Sequence, residues 1–104
     1  MSQKKKRIRA AFAAVVFGRD RHRCVTCGQP AVDPHHVTDR NEMPNGGYVA
    51  ENGISLCAPC HELAERFHAT GTAHPGYSPE ELYAKIGSSY EIAHAASERL
   101  AEEE

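Results

Sequence analysis

Nothing in this sequence is apolar for long enough to cross a membrane; its longest apolar stretch, Ala10 to Phe17, is only eight residues and rich in alanine. Lys4-Lys5-Lys6-Arg7 precedes that stretch, as in a secretory signal, but Gly18-Arg19-Asp20 follows it where small cleavage-site residues would stand. The segment therefore reads as a basic arm leading into a helix, and the expected compartment is the reducing cytoplasm, where structural disulfides are rare. An overall positive charge is missing too. The formal net charge is −2, so the whole molecule is not a basic nucleic-acid binder. There is no internal repeat and no βαβ pattern. With 104 residues, the chain has room for one domain with a modest core.

The near-neutral total hides an asymmetry. Residues 1–40 carry nine Lys/Arg against three Asp/Glu, and residues 41–104 carry three against eleven. A basic part beside an acidic part suggests one face for a polyanion and another toward solvent, although charge of either sign can simply coat exposed helix faces. Ile8, Phe12 and Val15/Val16 have helical spacing, with Gly18 as a stop. Residues 34–38 could form a short strand, and residues 39–47 read as a loop. Tyr48-Val49 and Ile54-Ser55-Leu56 could make a second strand, with Asn52-Gly53 as a turn or kink between them. A helix is predicted from near Pro59 to about Ala69, and a loop from Thr70 to Tyr77. Ser78-Pro79-Glu80-Glu81 has capping-box form, and Ser88 with Glu91 repeats the spacing. Leu82, Tyr83 and Ile86 would line one of the two resulting helices, and Ile92, Ala96 and Leu100 the other. Glu102-Glu103-Glu104 reads as a frayed tail.

What the sequence does have is four cysteines and seven histidines. Cys24-x-x-Cys27 and Cys57-x-x-Cys60 form two CxxC pairs, and thiolates at that spacing in a tight turn reach one tetrahedral ion. Gly28 helps the first knuckle turn back. Two pairs would close a four-sulfur structural zinc site. The alternatives are two disulfides, which conflict with the absence of secretion, or a redox CxxC, which usually comes singly beside a βαβ unit. His35 and His36 sit side by side on a strand and so face opposite ways, which suits different roles. His61 follows Cys60 at the start of a helix, and its face continues to Glu65 and His68. His22, His68, His74 and His94 read as surface or satisfied histidines. Arg40 and Arg66 could meet phosphates or only solvent. Asp33 could orient His35 or belong to a surface loop.

Taken together, Cys24-x-x-Cys27-Gly28, His35-His36-Val37 and Asn52-Gly53-Ile54-Ser55-Leu56-Cys57-x-x-Cys60-His61 resemble the HNH endonuclease motif in its zinc-bound subclass, over about residues 19–69. The resemblance implies a small α+β, metal-bound fold. Its ββα-metal, treble-clef-like core (19–69) holds structural zinc and is flanked by a basic arm and N-terminal helix (1–18) and a C-terminal helical extension (70–104). It implies a metal-dependent DNA endonuclease, encoded by a bacterium or phage, that hydrolyses phosphodiester bonds. In that resemblance His36 is the general base. Asn52 braces the loop and orients the base. His35 and His61 hold one catalytic divalent ion (Mg²⁺, Mn²⁺, Ni²⁺ or Zn²⁺). Glu65 stands where some members have a further histidine ligand, and as a hard oxygen donor it would favour Mg²⁺ or Mn²⁺. DNA is the expected partner, met by Lys4, Lys5, Lys6, Arg7, Arg19, Arg21, Arg23 and Arg40 through its backbone. Two other readings stay open: a non-catalytic zinc-finger module that binds nucleic acid, and a degenerate HNH subunit of a larger complex.

Overall fold

A helix longer than the apolar spacing alone predicts begins the described part of the chain, which in this computed structural model is residues 3–100; the acidic tail Glu102-Glu103-Glu104 lies outside it. Helix α1 spans Gln3–Arg19 and takes in the basic arm as well as the apolar segment. Lysine and arginine are good helix formers, so the arm need not be extended. Nor does Gly18 stop the helix, because its last turn is fastened from outside. Arg19 donates to the carbonyls of Ala50 (2.9 Å) and Gly53 (2.7 Å) and grips the Asp20 carboxylate through Nε and Nη2 (2.7 and 2.8 Å).

A two-stranded antiparallel sheet follows, β1 (Asp33–His36) with β2 (Gly53–Leu56), in the register Asp33↔Leu56, Pro34↔Ser55, His35↔Ile54 and His36↔Gly53. Tyr48-Val49 does not join β2. Residues 39–52 instead coil through short 3₁₀ turns at Arg40–Glu42 and Ala50–Asn52 and, between them, a kinked turn at Pro44–Gly47 in which Asn45 and Gly46 take left-handed backbone angles. Gly47 has φ +65°, and a Cβ there would lie 2.6 Å from Asn52 Nδ2, so the loop closes on Asn52 only with glycine at this position. Helix α2 (Ala58–Thr70) leaves β2 through Cys57, with Pro59 in its first turn and Gly71 in the left-handed conformation after its end.

Helix α3 (Pro79–Lys85) starts with the expected capping box: Ser78 Oγ accepts from Glu81 N–H, and the Glu81 carboxylate accepts from Ser78 N–H. Helix α4 (Tyr90–Leu100) is capped by Ser89, whose Oγ accepts from Ile92 N–H; Ser88, expected in that role, donates to the Glu51 carbonyl instead. Of the face expected in the core, Ala96 is buried but Ile92 is half exposed, and α4 buries the small residues Ala93, Ala96 and Ser97. Small side chains let the helix lie close to the 3₁₀ loop, where Asn45 donates to the Ser97 carbonyl.

Among the described residues the architecture is α+β, with four α-helices and a two-stranded sheet, and β1, β2 and α2 form the expected ββα unit. Its core gathers Val37, Met43, Ile54, Leu56, Ala64, Leu82, Tyr83 and Ala93 around Cys24, Cys57 and Cys60. Among the described residues, no helix is long and apolar enough to cross a membrane.

Candidate metal centres and active-site cleft

The four cysteines converge. Cys24 and Cys27 come from the knuckle before β1, Cys57 caps α2 and Cys60 lies in its first turn. All four sulfurs lie within 4.8 Å of one another, and Cys27 and Cys57 approach to 3.5 Å. Ligands 2.3 Å from a tetrahedral ion stand about 3.8 Å apart, so the cluster has the size of a zinc site. All four are free thiols. Burial disfavours the Cys24 thiolate, but the Thr26 hydroxyl and nearby backbone N–H groups outweigh it and lower the thiol to about 6. For Cys57 the Cys60 N–H pulls down, but burial and the neighbouring sulfurs push it up to about 12. Four sulfurs this close cannot all ionise unless a cation sits among them. The donor set therefore fits a structural zinc ion.

The strand alternation divides the two histidines of β1. His35 faces α2 and is 2% exposed, and neither ring nitrogen has a hydrogen-bond partner. Burial, followed by the charges of His61, His68 and His36, holds it down to about 3, so it is a neutral imidazole with its lone pair available. His36 faces α1. Its partner across the sheet is Gly53, where a Cβ would fall 2.4 Å from Val16 and 2.8 Å from Phe12. Because Gly53 has no side chain, Phe12 can cross it and stack on the His36 ring, with centroids 4.6 Å apart, while Tyr48 meets the same ring edge-on at 4.7 Å. Burial, then the Arg40 cation, lowers His36 to about 4. Its Nε2 is buried without a partner.

Helix α2 presents His61, Glu65 and His68 toward His35. His61 Nδ1 lies 3.0 Å from the Asp33 carboxylate and Nε2 lies 3.2 Å from Glu65 Oε1. Asp33 thus orients His61, and not His35 as weighed from the sequence. A carboxylate only accepts, so Nδ1 carries a proton toward Asp33. Nε2 of a neutral ring then turns a lone pair toward a second carboxylate, an arrangement that only a proton or a metal ion between them can satisfy. Glu65 Oε1 is also 3.2 Å from His35 Nδ1, without hydrogen-bond alignment. Two imidazoles and a carboxylate oxygen facing one another, with an orphaned buried histidine among them, fit a divalent ion. His68, set aside from the sequence as surface or satisfied, stacks on His35 at 5.1 Å and forms with His35 and Glu65 a group whose ligand atoms all lie within 4.8 Å. The signal was its place on the helical face of His61 and Glu65.

Asn52 touches neither histidine ring. Completely buried, its Oδ1 accepts from Thr38 N–H (3.0 Å) and Tyr83 Oη (2.7 Å), and its Nδ2 donates to the carbonyls of Thr38 (3.0 Å) and Gly47 (3.2 Å). It ties the chain just after His36 to the 3₁₀ loop and to α3. These side chains border a cleft of about 320 Å³ lined by both β1 histidines, His61, Glu65, His68, Asp33 and Arg40. Arg40 also lines an adjoining groove of about 470 Å³ with Lys4, Lys5, Arg9 and Tyr48. Lys6, Arg7, Arg21 and Arg23 are exposed. Arg19, expected on DNA, has its guanidinium turned onto Asp20 and the backbone of residues 50 and 53.

The family model described as HNH endonuclease matches residues 24–67. No curated protein and no solved structure matches the chain. HNH domains are in general nucleases that use divalent metals. The matched segment contains both CxxC pairs, both histidines of β1, Asn52, His61 and Glu65. Residues 24–67 thus match the HNH endonuclease family, and their four cysteines are placed to hold a metal ion, consistent with its zinc-bound form.

Proposed function

We propose that the protein is a metal-dependent DNA endonuclease whose reaction centre is the cleft between β1 and α2. The observation that carries this reading is the convergence of His35, His61 and Glu65 around a buried, unpartnered imidazole, with a second histidine, His36, on the same strand. A divalent ion held by these residues would stabilise negative charge on the scissile phosphate and the departing 3′ oxygen. His36, kept neutral by burial and Arg40, accepts the proton of the attacking water. Phe12 and Tyr48 fix its ring from two sides, so little motion is needed to present a nitrogen. Asn52 holds the strand end from which His36 projects. Arg40, Lys4, Lys5 and Arg9 border the adjoining groove and offer a path for the phosphate backbone, with binding that weakens as salt rises.

The test is supercoiled plasmid incubated with the protein and Mg²⁺, Mn²⁺ or Ni²⁺, with and without EDTA. Nicked or linear product that appears with metal and disappears with EDTA is expected. His36→Ala should keep its fold and its zinc and lose cleavage by ~10²–10⁴-fold. DNA bound without cleavage under any of these metals would favour a non-catalytic zinc-finger module or a degenerate subunit. Wild-type rates from a folded His36→Ala protein would overturn the assignment of the base.

A further inference from the structure

His68 lies one residue beyond the segment matched to the family, yet it points into the same cleft as the residues inside it. Its Nε2 is 3.0 Å from the main-chain carbonyl of His36. A carbonyl can only accept, so Nε2 carries the ring proton, and in the neutral imidazole Nδ1 holds the lone pair. That Nδ1 is buried and has no hydrogen-bond partner. The ring is stacked on His35, itself buried with both nitrogens unpartnered, and one ligand atom from each of His35, Glu65 and His68 falls within a 4.8 Å group. Two neighbouring imidazoles with buried, orphaned nitrogens are costly unless something satisfies them together. A metal-binding histidine ordinarily donates its other ring nitrogen to a carbonyl or carboxylate. His68 makes that bond to His36, and His61 makes it to Asp33.

We propose that His68 is a ligand of the cleft's divalent ion through Nδ1, so that the ion is held by His35, His61 and His68 with Glu65 as the oxygen donor. The inference rests on the metal-dependent reading above. Three imidazoles make a nitrogen-rich site that favours Co²⁺, Ni²⁺ or Zn²⁺ over Mg²⁺ and Mn²⁺, the reverse of the preference expected from Glu65 alone. The His68–carbonyl bond also joins the ion's ligand shell to the backbone of His36, so occupancy of the site would steady the strand position of the base.

The experiment uses the full chain with zinc in its four-cysteine site. Co²⁺ is titrated and followed by its visible absorption and by calorimetry, and Mn²⁺ is followed by electron paramagnetic resonance. One Co²⁺ beyond the structural zinc is expected for the wild type. His68→Ala, and His68→Gln, which keeps an amide donor for the His36 carbonyl, should weaken Co²⁺ by about 10–100-fold, at least the scale of losing a supporting partner, with a changed spectrum and a smaller loss for Mn²⁺. Long-range ¹⁵N spectra of the histidine rings on the wild type, with Zn²⁺ added to the cleft, should show His68 Nδ1 becoming metal-bound, a readout independent of how the variants fold. Unchanged Co²⁺ affinity and spectrum in a folded variant, equal losses for Co²⁺ and Mn²⁺, or a His68 Nδ1 signal that does not respond while His35 does, would overturn the assignment. A wild type that takes up no ion beyond the zinc would instead remove the metal-dependent reading on which it stands.

Discussion

Asn52 uses all of its side-chain bonding capacity inside the protein, on Thr38, Gly47 and Tyr83. Removing it strands two buried donors and two acceptors, each costing ~1–3 kcal/mol if nothing replaces the bond. Tyr83 Oη keeps the Thr38 hydroxyl, and water entering the vacated space can replace part of the other bonds, so Asn52→Ala is expected to lower stability by about 2–4 kcal/mol in a denaturant titration. Asn52→Asp should fare no better, because an acceptor would then face the carbonyls of Thr38 and Gly47. If either variant keeps wild-type stability while cleavage falls, the residue acts in the reaction itself and the bracing account is wrong. The role of Asn52 was half legible: its place before the second CxxC pair marked it, but a lone Asn-Gly reads equally well as a turn. The bonds that make it a brace come from residues up to 31 positions away.

Among the elements, α1 gained most in meaning from the structure. Spacing predicted a helix from Ile8, and composition predicted a basic arm before it. Neither showed that the helix would lie across Gly53 and hold His36 through Phe12. Its far end is clasped to the sheet by Asp20, whose side chain is 7% exposed and accepts from Ser55 N–H at 3.0 Å as well as from Arg19. Burial alone would raise the Asp20 carboxyl, but the Arg19 guanidinium and the Ser55 N–H outweigh it and hold it below the usual range. A group whose folded pKa is depressed contributes stability above its unfolded value, about 3.9, and loses it as pH falls through the folded value. The wild type should accordingly lose part of its melting temperature below about pH 4. Asp20→Asn should melt lower at pH 7 and lose less on acidification. Parallel melting-temperature curves for the two proteins would show that this clasp does not carry that part of the acid sensitivity.

For the molecule as a whole, the four-cysteine cluster, which has the donors and the size of a zinc site, ties together the most segments. The four cysteines join the knuckle, the end of β2 and the start of α2, and three of them are buried in the core with Val37, Ile54 and Leu56. A chain of 104 residues with small side chains along α4 has a limited apolar core, and metal binding then becomes a large share of folding free energy. Strong chelation, or Cys57→Ala, should abolish cooperative unfolding and the dispersion of the NMR spectrum, whereas removing the cleft ion alone should leave both intact. A folded, cooperative protein after complete zinc removal would mean that the apolar core suffices.

The sequence alone determined those features whose physics is local. Thiolates at CxxC spacing must share an ion if two pairs meet, Ser78 and Glu81 satisfy each other within one turn, and His61 and Glu65 share a helical face because the helix repeats every 3.6 residues. Features that depend on distant segments meeting were decided by the tertiary structure. Arg19 is read from the sequence as one of the phosphate-meeting arginines, and only the tertiary structure reveals that its guanidinium also bonds the backbone of residues 50 and 53. Ser89 displaced Ser88 as a cap because the Glu51 carbonyl took the Ser88 hydroxyl. His68 had the right face but no recognisable partner, since its partners are a backbone carbonyl and a stacked ring on β1. Spacing reports which side chains share a face; only folding decides what that face meets, because burial and partnership depend on the whole chain.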